Sequence, residues 1–341
     1  MKKINLLLFL IPVITLFTSC FKEDERVIPY NPGNVQTTVI TMEEDYRLMS
    51  FFKLYTGEVV DSSFKYDWDL AISTKANDYT LFPNTSLFMK VAHTGAYNFD
   101  SIYTIPNNAE WKFDSSDGDS SGNAIGRWWL DADSALLNAG EVLLIDRGID
   151  FGGLPLGYLK IQPLLNQQSN TVEIKISKID NTEQRSFSFT RDNSHSLETM
   201  SFQDGLNEKQ PFPAANDWDL WFTQYTTLLF TDEGDAYPYL VTGALINKDN
   251  TSVALDTIHP FNEITRETAD ASSLSSRYDF IGYDWKKING DVTSGEITYT
   301  ARTNYVYIIK TSEGFFYKLR FIDFYNDQGK KGYPKFEFQR L

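Results

Sequence analysis

Apolar and polar side chains alternate along much of this chain. Val172-Glu173-Ile174-Lys175-Ile176-Ser177, Glu296-Ile297-Thr298-Tyr299-Thr300 and Lys335-Phe336-Glu337-Phe338-Gln339 all follow a period of two. That period places successive side chains on opposite faces and predicts half-buried strands. Asn304 to Lys310 is β-branched and aromatic, which predicts a more deeply buried strand. Ser312-Glu313-Gly314 separates it from Phe315 to Tyr325, a hairpin pattern, and Asn289-Gly290 marks a second candidate turn before the Glu296 strand. Long capped segments of helical period are absent, and the connections are too short for helical crossovers. The expected fold class is all-β, with antiparallel meanders.

The pattern also repeats. Tyr66-Asp67-Trp68-Asp69-Leu70 recurs as Asn216-Asp217-Trp218-Asp219-Leu220, and Val91 to Gly95 as Leu240 to Gly243. Ile125-Gly126-Arg127-Trp128-Trp129 is echoed by Ile281-Gly282-Tyr283-Asp284-Trp285, Val142 to Asp146 by Val306 to Lys310, and Leu159-Lys160-Ile161 by Leu319-Arg320-Phe321. Five matches in one order, at offsets that drift only by loop-sized insertions, imply two related antiparallel β units, 37–190 and 191–341. In each Trp-Asp-Leu copy the Trp and the alternate apolar residues share a strand face. Each Trp is expected to anchor its own unit's core, with an indole N–H that needs a partner. The Asp residues are expected on the other face or capping the preceding turn.

The N-terminus carries a different signal. Lys2 and Lys3 precede an apolar run, Ile4 to Phe17, that is too short to span a bilayer of about 30 Å as a helix. Thr18-Ser19-Cys20 then resembles the lipobox of bacterial lipoproteins, which implies a signal peptide over 1–19 and acylation of Cys20. Phe21-Lys22-Glu23-Asp24-Glu25 resembles the surface-export signal of Bacteroidetes-type lipoproteins, and 20–36 reads as a flexible tether. The expected location is the outer membrane, at the cell surface, with the lipid membrane as a partner through Cys20.

Composition narrows the function. The 341 residues hold 31 Lys+Arg against 46 Asp+Glu, a net charge of −15 that becomes −17 when Lys2 and Lys3 leave with the leader. Nucleic acid is excluded as a partner, because phosphate binding needs a basic face. One Cys excludes a disulfide framework and a Cys-rich metal site. Gly118-Asp119-Ser120-Ser121-Gly122 fits a G-x-S-x-G spacing, but it lies in a polar Ser/Asp-rich stretch and not between a strand and a helix. The same stretch lacks the spacing of a calcium loop. No catalytic constellation emerges, so a binding protein is expected and not an enzyme.

The second unit resembles the HmuY family of haem-binding lipoproteins from Bacteroidetes. The likeness rests on Asp217 to Tyr225, Tyr239 to Asn247, Tyr305 to Lys310, Tyr317 to Tyr325 and Gly329-Lys330-Lys331-Gly332, and on Phe52 to Val60 in the first unit. It implies an all-β fold, a lipid anchor, and capture of haem or a related porphyrin for delivery to an outer-membrane receptor. Haem iron takes His or Met as axial ligands. Of the two ligand regions the resemblance implies, one contains His259, while the other, residues 286–303, contains neither His nor Met. Met89 and His93 stand four apart in the first unit, a spacing that puts both on one strand face. His259, His93 and Met89 are the candidate haem ligands. The competing reading keeps the fold without haem: exposed aromatics would hold a peptide, glycan or partner protein.

Overall fold

A computed structural model of the chain describes residues 33–341, apart from 130–139, 167–168, 170, 191–193, 203–204, 207–209 and 292–295. The leader, Cys20 and most of the tether lie outside the described residues. A first run of strands comprises β1 (Gln36–Val39), β2 (Leu48–Lys53), β3 (Glu58–Phe64), β4 (Leu70–Ser73), β5 (Leu81–Pro83), β6 (Lys90–His93), β7 (Trp111–Lys112), β8 (Leu143–Asp146), β9 (Tyr158–Asn166) and β10 (Thr171–Lys178). A second run comprises β11 (Arg185–Thr190), β12 (Leu197–Ser201), β13 (Gly205–Leu206), β14 (Leu220–Phe230), β15 (Ala236–Ile246), β16 (Ser252–Asp256), the short helix α1 (Arg266–Asp270), β17 (Lys286–Asp291), β18 (Glu296–Ala301), β19 (Val306–Lys310), β20 (Phe316–Tyr325) and β21 (Lys331–Arg340). The fold is all-β, and the named strands pair antiparallel. Among the described residues no helix is long and apolar enough to cross a membrane.

The sheets cross the two runs. Their orders are β11-β10-β9-β8-β6-β7, β1-β21-β20-β19-β16, β13-β12-β4-β5 and β15-β14-β2-β3, with β17-β18 as a separate hairpin. β2 lies against β14, with Phe52 opposite Leu220, and β12 lies against β4, with Met200 opposite Leu70. β1 edges β21, and β11 edges β10. Each run therefore gives its first three strands to the other run's sheets. The expected boundary at 190/191 falls between β11 and β12.

Two buried carboxylates hold this exchange. Asp219, fully buried, accepts the Leu54 N–H at 2.8 Å and the Lys53 ammonium at 3.1 Å, while its own N–H donates to Phe52. Asp69 accepts the Phe202 N–H at 2.8 Å and the Arg147 guanidinium at 2.9 Å, and its N–H donates to Met200. Asparagine amides recur beside them. Asn84 donates to the carbonyls of Lys65 and Trp68, and Asn247 to those of Ala215 and Trp218. A buried lysine recurs as well: Lys160 donates to Ile102 O with its ammonium over the Phe99 ring, and Lys318 donates to Ile264 O over Phe261.

Alternation then distributes most of the apolar residues among three core layers, with a fourth, smaller cluster around Phe261, Val306 and Ile308. Phe52, Leu220 and Phe222 face Trp285, Leu319, Phe321 and Phe336 under the β16–β21 sheet. Leu70, Ile72 and Leu81 face Val91, Ile145, Ile161 and Ile174 under the β6–β10 sheet. Between the two four-stranded sheets lies a third layer of Phe51, Trp68, Phe212, Trp218, Trp221 and Tyr225. The two Trp-Asp-Leu tryptophans thus join one shared cluster, whereas the sequence led us to expect each in its own unit's core. Trp68 and Trp218 precede strands whose Leu residues turn to the opposite layer. Asn289-Gly290 is also not a turn: Gly290 sits inside β17 opposite Ile297, and the connection falls at 292–295, outside the described residues.

A fragment of residues 191–341 keeps Asp219 but loses Leu54, Lys53 and the whole of β2. It is expected to show no cooperative thermal transition by circular dichroism where the full chain shows one. A sharp transition in the fragment would mean the exchanged strands are dispensable.

Candidate functional site

The three residues singled out as candidate haem ligands occupy different environments. Met89 precedes β6 and is fully buried in the layer under the β6–β10 sheet. His93 ends β6 at the rim of that layer. Its Nδ1 pairs with Glu141 at 2.8 Å and its Nε2 with the Ala124 carbonyl at 3.1 Å. The even spacing aims both at one layer, but the layer stops before His93, which is exposed. His259 lies elsewhere, in the loop after β16. Asp256 orients it: Oδ2 meets the imidazole Nδ1 at 2.8 Å, and Oδ1 accepts the N–H groups of Ile258 and His259, each at 2.8 Å. Partial burial would raise the Asp256 carboxyl, but these donations outweigh it and hold the group below the usual carboxylate range. No partner for the His259 Nε2 occurs among the described residues. Ile258 beside it is 84% exposed, and Leu255 is exposed as well.

A cleft of about 110 Å³ opens from the layer between the two four-stranded sheets. Trp68, Trp218 and Trp221 line it, with Phe82 and Phe212 completing the aromatic wall. Phe212 meets Trp68 edge-on at 5.5 Å and Trp221 at 5.0 Å, and Trp221 meets Tyr278 at 6.1 Å. These separations match favoured aromatic pairing. Each of the three indole N–H groups is buried and has no hydrogen-bond acceptor among the described residues, and the same holds for the Ser196 hydroxyl at the cleft.

The loop 114–118 roofs the cleft and ties the two runs together. Ser116 donates to Asp279 at 2.6 Å, Lys248 donates to the Gly118 carbonyl at 2.8 Å, and the Tyr278 N–H donates to the Asp117 carbonyl. Gly118 takes φ +74°, and a Cβ there would lie 3.0 Å from the Tyr278 Cβ, so the close crossing requires glycine. Asp114 is buried in this roof and accepts the Ala124 N–H at 2.6 Å. Burial pushes its carboxyl up to about 7, against the pull of that N–H and of Lys248. Ser120 sits on a short 3-10 turn, Ser120–Gly122, which is not the strand-to-helix elbow a nucleophile needs.

The sequence reading missed this cleft. The Ser/Asp-rich stretch reads only as polar from its composition, whereas Asp114 is buried and Ser115 and Ser116 line the cleft. The available signal was the doubled Trp-Asp-Leu, whose two indoles meet here. Among the described residues no group of three or more His, Cys, Asp or Glu is placed to hold a metal ion.

Asp114 gives a measurable signature. Its folded pKa lies above the unfolded value of about 4, so the stability it permits is full below about 4 and falls as pH rises through about 7. Asp114→Asn keeps the acceptor for Ala124 and removes the buried charge. The variant is expected to melt at a higher temperature than the parent at pH 8 and to show a flatter pH profile between about 4 and 7. Coincident profiles would mean the carboxyl titrates as if solvated.

A family model, that of the HmuY protein, matches residues 45–338. No curated protein matches the chain. Similar solved structures include apo PinO from Porphyromonas gingivitis, 11% identical over 91% of this chain and 98% of that one, with a TM-score of 0.29. The apo HmuY analog TFO from Tannerella forsythia is 9% identical over 92% and 99%, with a TM-score of 0.25. A protein from Bacteroides vulgatus ATCC 8482, regarded as HmuY-like and heme-binding, is 14% identical over 89% and 90%, with a TM-score of 0.23. Membership rests on the family model, whose span runs from the residues before β2 into β21: the chain belongs to the HmuY family.

Proposed function

We propose that this protein captures haem or a related porphyrin at the outer face of the outer membrane, held there by lipid on Cys20, and passes it to a membrane receptor. The observation that carries the reading is the imidazole of His259. Its Nδ1 is fixed by Asp256, which orients the ring and leaves Nε2 without a partner among the described residues. A carboxylate on the far nitrogen is the usual support of a metal-bound histidine, since it sets the tautomer and raises the donor strength of Nε2. Leu255 and Ile258, close to His259 in sequence, are exposed and would offer apolar surface to a macrocycle. Family membership supports the same ligand class. His93 has both ring nitrogens engaged and Met89 is enclosed, so the reading rests on His259. Haem here is cargo, and the protein's part is to orient one donor and supply an apolar rest.

Haemin titrated into the purified protein is expected to shift the Soret band saturably. His259→Ala should lose the shift or weaken binding at least about tenfold, while His93→Ala should retain it. No shift in either redox state would remove the haem reading. The anchor is tested separately in a bacterium that processes lipoproteins. The native chain should sediment with membranes and label with palmitate, and Cys20→Ala should do neither.

A further inference from the structure

The cleft between the Trp-Asp-Leu turns has no role in the reading above. His259 does not line it, and its size does not suit a tetrapyrrole. At about 110 Å³ it is somewhat smaller than an apolar cavity of about 150 Å³ that takes up benzene. Its scale is that of one small ring and not of a macrocycle.

We propose that this cleft binds a single neutral aromatic ring bearing a hydrogen-bond acceptor oxygen, an aryl ketone being the simplest case. The walls select the ring. Trp68, Trp221 and Phe212 present faces and edges from several directions, and an aromatic guest gains offset and edge contacts with each. The unpartnered polar atoms select the oxygen. Trp68, Trp218 and Trp221 are each at least nine-tenths buried, and their indole N–H groups are donors without an acceptor. Indole nitrogen can only donate, so the group that satisfies it must accept. The charges select neutrality. Asp78, Asp114, Asp119 and Asp249 line the cleft beside Lys75 and Lys248, so both signs of charge are already present and neither sign of guest is favoured. Both strand runs contribute equivalent residues, Trp68 and Trp218, so the guest would sit where the exchanged sheets meet.

The test uses the purified protein with ¹⁵N-labelled indoles, of which the chain has seven. Acetophenone and ethylbenzene share a shape and differ in the carbonyl oxygen. Acetophenone is expected to move the resonances of Trp68, Trp218 or Trp221 saturably, downfield, with a dissociation constant below about 1 mM and at least about tenfold tighter than ethylbenzene. Trp221→Phe removes one donor while keeping an aromatic wall, and it should narrow that tenfold gap. Ser196→Leu narrows the cleft and should weaken both probes. Variants are compared only where the thermal transition is retained, and Trp221→Phe alone suffices if Ser196→Leu does not fold. Equal affinity for the two probes, shifts spread over all seven indoles, or no saturable shift would each overturn the assignment. Loss of haem binding leaves these outcomes unchanged.

Discussion

A carboxylate with no access to water organises this molecule. Asp219 is fully buried, and an ion in that position is tolerable only if donors surround it. Burial pushes its carboxyl up, and the Lys53 ammonium and the Leu54 N–H pull it back. Those donors come from a strand 165 residues earlier in the chain. Removing one partner of such a buried pair typically costs about 3–5 kcal/mol, a large share of a domain's net stability. The register of β2 on β14 is thereby fixed, because a slip of one residue would strand the charge. Asp69 imposes the same condition on β12 through Phe202 and Arg147. From these two clamps follow the exchanged sheets, the three core layers and the meeting of the tryptophans.

Much of the strand content was legible from residue alternation, and the Trp-Asp-Leu recurrence pointed to two places that matter. The partners were not legible. A period of two says which face a side chain takes, and nothing about which strand lies alongside. The Asp residues could be placed only as cap or outer face, since their donors lie far off in sequence. The match of Thr94-Gly95 to Thr242-Gly243 illustrates the limit. The first pair follows β6, while the second lies inside β15 and packs against Gly282. The spacing of Met89 and His93 bears on which face each side chain takes, yet face alone does not decide burial at a strand end. Asp114 was hidden by its neighbours, since a run of Ser, Asp and Gly reads as solvated whichever of its members turns inward.

The layer between the sheets carries an energetic tension. It holds Phe51, Phe212, Trp218 and Trp221 at centroid distances of 5.0–5.7 Å, contacts worth about 0.5–1.5 kcal/mol each beyond area burial. Against this stand three indole donors without acceptors, each costing about 1–3 kcal/mol. Phenylalanine at those positions would keep the packing and remove the cost. The second Trp-Asp-Leu copy repeats the indole of the first instead. In the outer layers the pattern is mixed, since the buried Trp285 indole N–H also has no acceptor among the described residues. Trp128 donates to the Tyr79 carbonyl at 2.7 Å, and Lys318 finds Ile264 O. Among the described residues, three of the four buried indole N–H groups without an acceptor line the cleft where the two strand runs meet. Packing economy alone does not account for tryptophan at these positions, whereas a guest that accepts hydrogen bonds does.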